Sequence, residues 1–260
     1  MALTKIIACV HLQPLPGSPG YAFNNRAIIE RAVDEVDVFA EAGINGIIIE
    51  NTSDVPYLKG KIYPETISLL SIICHEIRKR FGGYLGLQVL AGANIEAMSI
   101  AYNAGLDFIR VEGYAFAHIA DEGLIQSSAA ELMRKRAQLR AESVKVIADI
   151  KKKHGSHAIT SDLSLSETAR LTEFMEPDGI VITGFTTGEP PALEKVRAVR
   201  QAVSLPLYVG SGVTAENAVQ FCSVADYLIV GSCLKKGGNW KNELDRESIE
   251  RFMQSIDSQA

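Results

Sequence analysis

"AGLDFIRVEG" fills residues 104–113 and "AGINGIIIEN" fills residues 42–51. Each ends a helical segment in glycine, follows with Asp107 or Asn45, and then runs into a short apolar strand. "EPDGIVITG" (176–184) and "VADYLIVGS" (224–232) are looser copies built on Asp178 and Asp226. By strand count these are the even-numbered strands, the pattern expected of a barrel assembled from two-unit modules. Gly43 and Gly105 stand where a helix ends in a left-handed residue. The general taste of αβ loops for Gly and Asp would give a similar pattern without any repeat.

Working outward, strands are expected near 5–10, 46–50, 84–90, 107–112, 144–150, 178–183, 206–210 and 226–230. All are rich in Ile, Val and Leu, as strands covered on both faces should be. Segments 25–42, 64–80, 94–104, 129–142, 165–174, 191–202, 214–222 and 245–256 read as helices. In the first, Ile29, Ala32, Val33, Val36 and Ala40 recur at helical spacing. Eight β–α pairs in 260 residues favour one (β/α)8 barrel spanning residues 1–260 over an open sheet. The fifth strand has a rival position at 157–161, but 144–150 is the more apolar run.

Composition narrows the function. The net charge of −5 carries no basic stripe for nucleic acid, and no apolar run approaches the ~20 residues of a membrane helix. Cys9, Cys74, Cys222 and Cys233 lack metal spacing and read as reduced thiols. "KIIACVH" looks like a strand that starts almost at once, so no signal peptide is expected. A cytoplasmic location follows as an expectation, with organellar or peripheral membrane association left open.

Barrel chemistry gathers at the C-terminal strand ends. Those ends offer His11; Glu50, Asn51 and Asp54; Arg110 and Glu112; Asp149, Lys153 and His154; and Thr183 with Gly184, followed by "FTTGEPP". Strands 7 and 8 both stop on Gly-Ser turns, at Gly210-Ser211-Gly212 and Gly231-Ser232. These are the usual phosphate loops of such barrels: glycine lets an anion approach the backbone, and a following helix start presents N–H groups. Thr214 is a candidate cap for that helix, and Lys235 and Lys236 offer added charge. His11, Glu50 and Asp149 are the acid–base candidates. The other polar residues are expected to bind substrate, although Arg110 and Glu112 would also make a simple ion pair. No cofactor or resident metal is expected. A divalent cation on Glu50, Asp149 and His154 is a weaker alternative, because the ligands are scattered. Segment 115–125 is a candidate lid. No nucleophile elbow, P-loop or dinucleotide fingerprint is present.

The ordered set "HLQPLPGSPGY", "GIIIENTSDVPY", "FIRVEG", "DEGLI", "ADIKKKH", "VITGFTTG", "VGSGVTAEN" and "IVGSCLKKGG" resembles the BtpA family over nearly the whole chain. The resemblance implies a TIM barrel of the ribulose-phosphate-binding type, and it supports strand 5 at 144–150. One bacterial branch of the family is linked to photosystem I biogenesis and another to carbohydrate-metabolism gene clusters. Members also occur in organisms without photosynthesis, so photosystem I is not the shared activity. Two departures fall at the mouth: "LQVLAGAN" where more asparagine is expected, and Glu112 where Asn is expected. The expectation is a soluble enzyme for a phosphorylated sugar or related phosphometabolite, with isomerisation, epimerisation, and carbon–carbon or glycosidic cleavage all open. A non-enzymatic assembly factor and a metal-dependent hydrolase are the rivals; a homo-oligomer is compatible with each.

Overall fold

Eight parallel strands close on themselves in the computed structural model, which describes residues 4–184 and 188–257. They are β1 (Lys5–His11), β2 (Gly46–Glu50), β3 (Tyr84–Gln88), β4 (Phe108–Val111), β5 (Lys145–Ile150), β6 (Gly179–Thr183), β7 (Leu207–Gly210) and β8 (Tyr227–Val230). Each pairs with its sequence neighbours, and β1 pairs with β8. The helices between them are α1 (Asn25–Glu41), α2 (Pro64–Arg80), α3 (Asn94–Ala104), α4 (Ala129–Leu139), α5 (Leu165–Glu173), α6 (Leu193–Ala202) and α7 (Ala218–Cys222), with α8 (Arg246–Asp257) last. This is the expected (β/α)8 barrel. Strand 5 lies at the preferred position, and Phe185, Thr186 and Thr187 of "FTTGEPP" lie outside the described residues.

Alternation of side chains along each strand makes two cores. One face packs against the helices as a continuous apolar layer. The other fills the barrel with Ile7, Cys9, Ile48, Phe108, Ile147, Val181, Tyr208 and Ile229. Its N-terminal end is an aromatic floor: Tyr208 stacks on Tyr227 with centroids 4.2 Å apart, and Tyr84 on Phe108 at 4.5 Å. Gly86 is glycine because a Cβ there would collide with the Phe108 ring. The barrel is thus closed at one end and polar at the other.

The two-unit repeat has a physical cause at the closed end. Asp107 accepts the Leu85 N–H (2.8 Å) and pairs with Arg78 of α2 (2.9 Å). Asp226 does the same with the Leu207 N–H (2.8 Å) and Arg200 of α6 (3.0 Å). Asp178 accepts the Val146 N–H (2.9 Å) and pairs with Arg136 of α4. An aspartate before each of these even strands therefore holds the start of the preceding odd strand and the helix that leads into it. Gly105 ends α3 in the left-handed conformation at φ 71, and Gly43 takes φ 78 just after α1.

Two expectations change. Residues 214–217 are not helical; α7 starts at Ala218. The Asn217 side chain closes the loop instead, accepting from the Thr214 N–H (2.8 Å) and donating to the Gly212 carbonyl (2.7 Å). Thr214 therefore caps no helix. The segment after β4 is a hairpin, His118–Ala120 against Gly123–Ile125. Its first strand also pairs with Gly155–Ser156 after β5, so a small sheet ties the two loops together.

Candidate functional site

Inward positions two residues apart carry the functional side chains up each strand. Cys9 and His11 share a face of β1, and His11 sits in register with Glu50 of β2, which sits in register with Gln88 of β3. Arg110 from β4 fills the centre. These groups line a cavity of about 460 Å³ at the polar end, together with Tyr57, Glu112, Lys153, His154, Ser211, Gly212, Gly231, Ser232 and Trp240.

Arg110 organises the charge. Its Nε lies 3.1 Å from Asp149 Oδ2 and its Nη2 3.1 Å from Asp149 Oδ1, a bidentate grip. Its Nη1 lies 3.5 Å from Glu50 Oε1. Burial raises the pKa of both carboxylates, and Arg110 opposes that rise. The Asp149 side chain is fully covered and does not line the large cavity. Asp149 is therefore placed to orient Arg110, whereas Glu50 is more loosely held, faces the cavity and is the better proton carrier.

His11 is a different group from the one expected. Burial, then Lys235 and Lys153, lower its pKa to about 3. Its Nε2 is 3.9 Å from Glu50 Oε2, its Nδ1 is buried without a partner among the described residues, and Trp240 meets it edge-on at 5.9 Å. It is a neutral imidazole, suited to hydrogen bonding more than to donating a proton. Gly231 makes room for it, since a Cβ there would lie 2.9 Å from His11 Cε1.

The two Gly-Ser turns open onto this same cavity. Ser211 has φ 61, in the left-handed region where a side chain is strained, and its hydroxyl is buried with no partner among the described residues. Gly212, at φ 64, approaches the 188–190 backbone too closely for any Cβ. Ser232 opens a single 3-10 turn, not an α-helix. Gly210 is buried behind Ser211.

Several expected binding residues are turned to other work. Asn51 accepts the Leu90 N–H (2.7 Å) and donates to Asp54 (2.9 Å), and Asp54 accepts the Leu15 N–H (2.7 Å). The pair pins the loops after β1 and β3 behind the cavity wall. Thr183 accepts the Lys153 N–H (3.2 Å), and Gly184 packs against Glu189 too tightly for a Cβ. Glu112 pairs with Lys152 (3.1 Å), not with Arg110. Lys235 is buried on Glu35 of α1 (2.7 Å), and Lys236 pairs with Glu243 outside. Cys9, Gln88, Tyr57 and Trp240 were not expected. For Cys9 and Gln88 the signal was present, because period-two counting back from His11 and across from Glu50 reaches both.

Among the described residues, Cys9, His11 and Glu50 form a group able to hold a metal ion, with ligand atoms within 4.8 Å of one another. This is not the expected set of Glu50, Asp149 and His154. A cation here would compete with Arg110 for Glu50.

The BtpA family model matches residues 3–258. The chain belongs to the BtpA family. An uncharacterised mitochondrial protein of Caenorhabditis elegans is 39% identical, covering 97% of this chain and 93% of its own. A Pyrococcus abyssi protein is 35% identical, covering 97% and 96%. The photosystem I biogenesis protein BtpA of Synechocystis is 34% identical, covering 96% and 87%. Among solved structures, thiamine phosphate pyrophosphorylase from Pyrococcus furiosus superposes with a TM-score of 0.61 over 98% of this chain and 96% of that one, at 11% identity. That likeness carries the barrel fold alone. No helix of this BtpA-family chain, among the described residues, is long and apolar enough to cross a membrane.

Proposed function

We propose that the cavity is the active site of an enzyme acting on a phosphorylated sugar or related phosphometabolite. Its phosphate would rest on Gly210-Ser211-Gly212 and Gly231-Ser232. The observation that carries this reading is the Ser211 hydroxyl, buried and without a partner among the described residues, on a strained backbone beside the cavity. A buried polar group without a partner costs about 1–3 kcal/mol, and an anion held in the turn would satisfy it. Backbone strain of this kind gathers at ligand-binding turns.

The other end of the ligand would meet Glu50, Arg110 and Lys153. Arg110 supplies fixed positive charge where a carbonyl or hydroxyl oxygen gains negative charge. Glu50, its pKa raised by burial, moves a proton. Asp149 holds Arg110 in place, and neutral His11 orients a hydroxyl. The experiment is a crystal grown with dihydroxyacetone phosphate. The reading expects phosphate density within hydrogen-bond reach of Ser211 Oγ and the Gly231–Ser232 turn; phosphate bound elsewhere in the cavity, or an empty cavity at saturating ligand, contradicts it.

A binding module that assists assembly is the second reading, drawn from the name of the Synechocystis relative. It predicts that Glu50→Gln leaves the biological role intact. The enzyme reading predicts that this variant loses the role while keeping its fold.

A further inference from the structure

Five lysines, at 151–153 and 235–236, follow strands 5 and 8, and four of them have their amines engaged. Lys151 Nζ donates to the carbonyls of Thr160 (2.9 Å) and Leu163 (2.7 Å). Lys152 is on Glu112, Lys235 on Glu35 and Lys236 on Glu243. Lys153 differs. Its backbone is fixed by Thr183 and its side chain lines the cavity. Among the described residues its amine makes no hydrogen bond and no close ion pair.

We propose that Lys153 Nζ is a nucleophile that condenses with the carbonyl carbon of a phosphorylated ketone or aldehyde held in the cavity, forming an imine. The inference rests on the phosphate reading above and names the substrate class for it. Two features of the geometry support it, and the charge environment of the amine adds to them. The amine and the Gly-Ser turns face one cavity, so a bound phosphate would present its carbon chain to the amine. Arg110 and Glu50 line the same cavity, giving an oxygen-polarising cation and a proton carrier beside the amine. Burial, then Arg110, lowers the Lys153 pKa, while Glu50, Asp149 and Cys9 oppose the shift. Each unit of lowering raises the unprotonated fraction about tenfold at neutral pH.

The step balances without an oxidant. The nitrogen lone pair forms the C–N bond, and the carbonyl π pair moves to oxygen. Glu50, starting as the acid, gives its proton to that oxygen and takes one back from the nitrogen, giving a carbinolamine and regenerating the acid. Protonated Glu50 then protonates the hydroxyl, the C–O bond breaks, water leaves, and the nitrogen lone pair forms C=N. The iminium withdraws electrons from the neighbouring carbon, which makes a C–H or C–C bond there easier to break.

The test is reductive trapping. The full chain is incubated separately with dihydroxyacetone phosphate, ribulose 5-phosphate and unphosphorylated dihydroxyacetone, each with cyanoborohydride, and the modified lysine is located by peptide mass spectrometry. A parallel calorimetric titration measures binding of inorganic phosphate. The proposal expects one adduct at Lys153 with at least one phosphorylated probe. It should form faster than on exposed lysines, because the bound phosphate holds the carbonyl beside the Lys153 amine. Inorganic phosphate should slow it. Lys153→Arg should remove the adduct and keep phosphate binding, and circular dichroism should show its fold unchanged. If Lys153→Arg does not fold, protection of Lys153 in the wild-type chain by phosphate replaces it. Labelling of Lys153 no faster than exposed lysines with both phosphorylated probes overturns the proposal, and intact phosphate binding would then leave the phosphate reading standing. A Lys153 adduct as fast with dihydroxyacetone, and untouched by phosphate, would keep the nucleophile and overturn the phosphate reading.

Discussion

Arg110 grips Asp149 with two nitrogens, each at 3.1 Å, while a third lies 3.5 Å from Glu50. One cation therefore serves two buried carboxylates of different strands, and the unequal grip separates their roles. The covered one orients the guanidinium, and the loosely held one faces the cavity.

Arg110→Met should cost about 3–5 kcal/mol of stability, because it leaves buried charge uncompensated. Burial then dominates at Glu50 and Asp149, which take up protons more readily folded than unfolded. The loss should shrink as pH falls through their raised pKa values. Urea unfolding of the variant at neutral and mildly acidic pH checks both the size and the sign. Asp149→Asn should cost less and reduce activity by loosening Arg110.

Ser211→Gly should stabilise the chain by about 1 kcal/mol, because glycine adopts φ 61 without strain. It also removes the unpartnered hydroxyl. Phosphate affinity should fall at the same time, so thermal unfolding and ligand titration should move in opposite directions.

His11 supplies a pH dependence of its own. Its folded pKa of about 3 lies below its ordinary value of 6.5. The folded state holds the proton less tightly, so stability is full above the ordinary value and is lost as pH falls toward the folded one. Between about pH 7 and about pH 5 the loss from this group should be about 2 kcal/mol. His11→Gln should flatten that part of the stability profile.

Lys235 and Glu35 tie the loop after β8 to α1 through a buried pair at 2.7 Å. Lys235→Met alone should cost about 3–5 kcal/mol, and adding Glu35→Leu should recover most of it, because a buried pair is harmful mainly when half of it is removed. Chemical unfolding of the single and double variants measures the coupling.

The eight strands were legible because parallel strands covered on both faces are written as unbroken Ile, Val and Leu. The repeat was legible because Asp107, Asp178 and Asp226 serve one job at the closed end. Glu50 and Arg110 followed from strand ends alone. The purposes of Asn51, Asp54 and Lys235 did not, since their partners Leu15, Leu90 and Glu35 come from distant loops and a helix that only tertiary packing brings near. The loop after β7 misled for a local reason: "VTAENA" has helix-forming residues, but the Asn217 side chain bonds back to Gly212 and Thr214 and delays the helix.

The most direct measurement is calorimetric titration of inorganic phosphate and of dihydroxyacetone phosphate into the wild-type chain and into Ser211→Asp. The phosphate reading predicts saturable one-to-one binding of both at millimolar or lower concentration, and its loss in Ser211→Asp, whose carboxylate occupies the turn, with folding intact by circular dichroism. Equal binding by the two proteins, or no binding to the wild type at millimolar ligand, would contradict it.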